Sequence, residues 1–155
     1  MAWTNSKIFA AFIETAMETN NVDLDTDTHK AALYNSTTAP DNTVTAANSA
    51  YAVGQWVVGN EIDDGTNWDT GGEPLTSVTS SVSGTTYTFD AADTPQGGAT
   101  TTLSGVEGCL VYSDTATVVA DQGICYNYFG GPQSVTGGTF TIVWNASGIF
   151  TISVA

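Results

Sequence analysis

The chain has 155 residues, enough to bury a core without metal or disulfide staples. Sixteen acidic side chains stand against two cations, Lys7 and Lys30, for a formal net charge of -14. Such a surface repels phosphate, so neither nucleic acid nor an anionic membrane is an expected partner, and apolar burial rather than ion pairing must hold the fold together.

The first expected element is a helix over about 6–19. Ile8, Phe9, Phe12, Ile13, Ala16 and Met17 recur at three- and four-residue steps and form one stripe, which is expected to pack on a sheet. Ser6 or Thr4 is positioned to cap its start, and the Asn20-Asn21 pair to end it. The apolar cluster Ile8–Ile13 is too short to span a membrane and is cut by Glu14, so synthesis in the cytosol is expected.

From about residue 28 to 155 the pattern is β-rich. Short strands are expected at Lys30–Tyr34, Gln55–Glu61, Leu75–Val82, Thr85–Asp90, Cys109–Tyr112, Gly123–Phe129, Thr139–Trp144 and Ile149–Val154. Clusters of Gly, Asn, Asp, Ser and Pro separate them, and Ser83-Gly84 reads as a tight hairpin turn. Threonine supplies about one residue in six, as suits half-buried strand surfaces. Between Ala39 and Ala52 a long loop with one helical turn at Ala46–Tyr51 is expected. With no repeat or linker, the expectation is one domain over 1–155: mainly β, an antiparallel β-sandwich or barrel-like domain with one N-terminal α-helix.

The last 34 residues, from Gln122 to Ala155, have no charged side chain. Its end reads as a hairpin about the turn Asn145-Ala146-Ser147-Gly148. Phe140, Ile142, Trp144, Phe150, Ile152 and Val154 would form a core face, leaving Thr139, Thr141, Thr151 and Ser153 on a hydroxyl face that another layer or subunit covers.

Several clusters hold residue types suited to chemistry. Asp23, Asp25 and Asp27 begin like a calcium loop, but the sixth position is Thr28 rather than Gly and the twelfth is Tyr34 rather than Glu, so an acidic turn is expected. Glu61, Asp63, Asp64, Asp69 and Glu73 near Trp68 offer the carboxylates of a glycosidase, yet all lie in one glycine-rich loop with no rigid frame to hold them. His29 is the sole histidine, and no serine stands in a nucleophile-elbow context. Cys109 and Cys125 lie in apolar strand patterns with no basic neighbour and are expected to be buried thiols. No catalytic residue, metal ligand or cofactor is therefore expected, and the chain is not expected to be an enzyme.

Four segments in order, KIFAAFIETAM, HKAALYNSTTAPDNTVTAANSAY, FDAADTPQGGATTTLSGVEGCLVYSD and GGTFTIVWNASGIFTISVA, carry a resemblance across nearly the whole chain. In their order and spacing they resemble small virion structural proteins of tailed bacteriophages. That resemblance implies a capsid decoration (cement) protein on the outer surface of the virion head, with the major capsid protein as partner and self-association, a trimer being the usual form. Alternatives are a tail component (tail-tube, connector or minor tail protein) and a carbohydrate-binding β-sandwich using Trp56, Trp68 and Tyr128 as stacking platforms, Trp68 being the one expected to be exposed. The expected contact residues are Ala2, Trp3, Thr4 and Lys7 at the N-terminus and Thr139, Thr141, Thr151 and Ser153, where negative charge is sparse.

Overall fold

A computed structural model describes residues 3–155, with the backbone alone described for residues 95–99. The chain is mainly β, with two antiparallel sheets and an N-terminal helix in a sandwich-like arrangement. The larger sheet has the order β1-β7-β6-β2-β3, formed by β1 (Lys7–Ile8), β2 (His29–Tyr34), β3 (Glu73–Pro74), β6 (Thr94–Ser113) and β7 (Gly123–Ile142). The smaller has the order β4-β5-β8, formed by β4 (Thr79–Ser83), β5 (Thr86–Asp90) and β8 (Phe150–Ser153). Among the described residues no helix is long and apolar enough to cross a membrane.

The helix, α1, spans Ala10–Glu18 rather than starting near residue 6. Lys7 and Ile8 instead pair with Tyr126 and Cys125 at the edge of β7. Ser6 does not cap the helix; its hydroxyl accepts from the Tyr128 N–H at 2.9 Å, holding that edge. The helix ends as expected, with Asn20 at φ 49 in the left-handed region that asparagine tolerates. Asn21 is buried: its side-chain carbonyl accepts from the Val118 and Val119 N–H groups, and its amide donates to Gln122. Gln122 in turn donates to the Thr15 hydroxyl at 2.8 Å, so this polar network ties the helix to the loop between β6 and β7.

The two longest strands form a ribbon of 20 residues on each side. Glycine pairs that read as strand ends are register shifts within it. Between the pairs Val106–Gln133 and Gly108–Tyr128, the four residues Phe129-Gly130-Gly131-Pro132 of β7 stand opposite Glu107 alone, an irregularity that does not end the ribbon. Gly108 is required by close approach: a Cβ there would lie 2.3 Å from the Asn127 carbonyl oxygen and 2.5 Å from the Trp3 ring.

Three further expectations need correction. Gln55–Glu61 is not a strand but two 3-10 turns, Gly54–Trp56 and Val58–Asn60, which insert Trp56 into the core. Leu75–Val82 is interrupted by Ser77 at φ 50, leaving β3 and β4 in different sheets. The terminal hairpin does not form. The turn is present, with the Gly148 N–H donating to the Asn145 carbonyl at 2.7 Å, but its arms part: β7 stays with β6, and β8 crosses to pair with β5. The β4–β5 hairpin does form, with Gly84-Thr85 as its two-residue loop, one position later than expected. The helical turn α2 (Ala46–Ser49) is where it was expected.

The core joins both sheets. On one side Trp3, Phe9, Trp56, Tyr34 and Tyr126 meet edge to face or tilted, with centroids 5.0 to 6.1 Å apart. On the other, the His29 ring of β2 stands perpendicular to Phe89 of β5 at 5.3 Å, and Phe89 lies 5.3 Å from Phe150 of β8.

Candidate functional site

The carboxylates of the glycine-rich loop are engaged in holding that loop. Glu61 accepts from the Tyr51 hydroxyl at 2.7 Å and from the Gly71 N–H at 2.8 Å, and burial pushes its carboxyl above the usual range. Tyr51 stacks on Tyr112 at 5.0 Å, and the Tyr112 hydroxyl donates to the Gly71 carbonyl, fastening the loop to the sheet. Burial pushes the Asp64 carboxyl up, but the N–H groups of Trp68, Asn67 and Thr66 outweigh it and hold the group at about 2. Glu73 accepts from the Asp69 N–H. Trp68, expected to be exposed, is buried with its ring edge-on to Phe140 and its indole N–H donating to the Phe140 carbonyl. Trp56 is buried as well, and Tyr128 stacks on Trp3. Of the three sugar-stacking platforms of the carbohydrate-binding alternative, Trp56 and Trp68 are thus buried and Tyr128 is half-buried.

The Asp23–Asp27 stretch is a self-bonded turn. Asp23 accepts from the N–H groups of Asp25 and Thr26, which hold its carboxyl below the usual range, and Asp27 accepts from the Asp23 N–H and the Ser113 hydroxyl. Cys109 and Cys125 are both free and buried, and burial pushes both thiols up, Cys125 to about 12. Lys30 pairs with Asp114 at 3.1 Å. Among the described residues no group of three or more His, Cys, Asp or Glu side chains is placed to hold a metal ion.

The open surface lies elsewhere, between α1 and the small sheet. These elements touch where Phe12 meets Phe150, with centroids 6.2 Å apart, and then separate to leave an open groove of about 450 Å³. Ile13, Ala16 and Met17 form its helical wall, and Tyr87 and Ile152, which are directly opposite in the β5–β8 register, form its sheet wall. Met17 is 84% exposed and Ile152 37% exposed. A second hollow of about 390 Å³ shares Tyr87 and Ile152 and adds Val82 and Val154, both 71% exposed. The charged side chains lining the groove are Asp23 and Asp25. Burial foremost, and also these two charges, push the Tyr87 hydroxyl up against an opposing hydrogen bond with Ser80.

The register explains why this face is open. Val82, Tyr87, Phe89, Phe150 and Ile152 share one face of the small sheet; Phe89 and Phe150 are buried in the core, Tyr87 packs half-buried against it, and Val82 and Ile152 are exposed. Ile152 and Val154, expected in the core from their alternation, are instead exposed, because the small sheet extends beyond the core at that end. No local signal assigned Met17 or Tyr87 to a surface.

The expected contact residues do not form one patch. Thr151 and Ser153 are exposed on the opposite face of the small sheet, beside Thr86 and Thr88, and the Ser153 and Thr86 hydroxyls lie 3.0 Å apart. Thr139 and Thr141 are exposed on the ribbon, in a different sheet, where they border a hollow of about 400 Å³ with Phe129 and Phe140. Thr4 and Lys7 are exposed near the sheet edge. Trp3 is buried, its indole N–H donating to the Asn35 carbonyl at 3.1 Å, so its ring is an internal anchor. Ala2 lies outside the described residues. Compared with known proteins, the chain matches no family model, no curated protein and no solved structure.

Proposed function

We propose that this chain is a structural protein of a tailed-phage virion that binds the outside of the head as a decoration protein. Its partner in this reading is the major capsid protein, with further copies of itself alongside. The observation that carries the proposal is the apolar groove between α1 and the small sheet, left open on a molecule whose net charge is -14. A strongly charged chain stays soluble with such a surface exposed, and the surface gains by burial against a larger assembly. The loop carboxylates add support, because Glu61, Asp64 and Glu73 hold backbone N–H groups as a scaffold would. The acidic surface suits a position away from packaged nucleic acid. The sequence resemblance across four ordered segments supports the virion setting.

Mass spectrometry of separated phage heads and tails tests this reading. Recovery with heads, in a fixed ratio to the major capsid protein, is the expected result. Recovery with tails transfers the chain to the tail alternative, and absence from purified virions overturns the proposal.

A further inference from the structure

The groove's lining specifies the chemistry of what it receives. Its walls are apolar and come from two separate elements, Ile13, Ala16 and Met17 on the helix and Tyr87 and Ile152 on the sheet. Its volume of about 450 Å³ lies within the range of roughly 300–1,000 Å³ common for binding clefts. Asp23 and Asp25 supply its charge, and both come from the turn that follows α1. Asp23 is fixed by the N–H groups of Asp25 and Thr26, so its negative charge is held in place beside the apolar walls.

We propose that this groove receives a segment of a partner protein that carries apolar side chains flanked by lysine or arginine. The inference rests on the docking reading above and names the chemistry of the docked segment. Charge complementarity selects this occupant: the apolar side chains fill the groove while the cations meet Asp23 and Asp25. A second copy of this acidic chain is a poorer match, because its 16 carboxylates are offset by only Lys7 and Lys30.

Titration calorimetry with two synthetic peptides tests the proposal: one of alternating leucine and lysine, and the same peptide with glutamate for lysine. The lysine peptide is expected to bind the wild-type chain and the glutamate peptide is not. Ile152→Asp is expected to weaken lysine-peptide binding at least tenfold. That variant adds a negative charge, so attraction to the acidic surface in general would strengthen rather than weaken. Met17→Asp, at a side chain 84% exposed, repeats the test with little demand on folding, which far-UV circular dichroism checks. Asp25→Asn is expected to weaken binding several-fold and to flatten its salt dependence. Binding that both aspartate variants retain overturns the proposal, as does equal binding of the glutamate peptide. A wild-type oligomer that Ile152→Asp dissociates in sedimentation assigns the groove to a second copy and also overturns it. These outcomes leave the head-versus-tail assay untouched, so the two proposals fail separately.

Discussion

His29 is the chain's sole histidine, and its ring is buried against Phe89 where the two sheets meet. Burial lowers its pKa below the ordinary 6.5; the nearby Asp27 and Asp23 carboxylates and the Leu24 main chain oppose that shift without cancelling it. The unfolded chain therefore takes up the proton first, and stability falls as pH drops from 6.5 towards the folded value. Proton NMR is expected to show the folded ring titrating below 6.5; a ring that titrates at or above 6.5 contradicts this. The composition excluded a multi-histidine centre but carried no sign of that packing, since Phe89 arrives from a strand distant in sequence. Trp68 makes the same point. Its neighbours are acidic and suggest exposure, while its burial is decided by Phe140, 72 positions further along.

Elements whose pattern is local were legible, whatever the distance to their partners. The apolar run placed β2, and the glycine turn placed β5, within one residue, because local alternation and turn chemistry govern them, whereas the start of β4 lies four residues after the expected Leu75. The length of β7 was hidden because Gly130-Gly131-Pro132 has the composition of a loop and acts as a bulge, and that of β6 because its register shifts repeatedly between Gln96 and Val106. The end of the chain was half legible. Alternation sorted Phe150, Ile152 and Val154 correctly from Thr151 and Ser153, but not the strand they would join or where core gives way to solvent. These three apolar positions should therefore differ sharply. In urea denaturation, Phe150→Ala is expected to cost about 3–5 kcal/mol, as for other buried phenylalanines. Ile152→Ala and Val154→Ala, on exposed side chains, should each cost less than about 1 kcal/mol. Similar losses at all three would mean that β8 is covered along its whole length.

At the scale of the molecule, high net negative charge and an uncovered apolar groove have opposite consequences. Self-repulsion among 16 carboxylates works against the compact state, so the thermal midpoint should rise as sodium chloride is increased from about 10 mM to the screened regime near 0.15 M. A midpoint that is flat or falls with salt would show that the charges are already balanced locally. The same repulsion opposes pairing of two acidic copies through the groove, in keeping with the proposal that a complementary surface covers it. The charge-free last 34 residues supply Ile152 to the groove and Val154 to the hollow beside it, from the apolar face of the small sheet rather than its threonine face. The most direct test is binding of the purified protein to phage heads that lack it, measured by co-sedimentation. The account predicts saturable binding by the wild-type chain, greater resistance of the decorated heads to heat, and at least tenfold weaker binding by folded Ile152→Asp. No binding by the wild-type chain contradicts the decoration reading, and equal binding by the variant contradicts the groove as the point of contact.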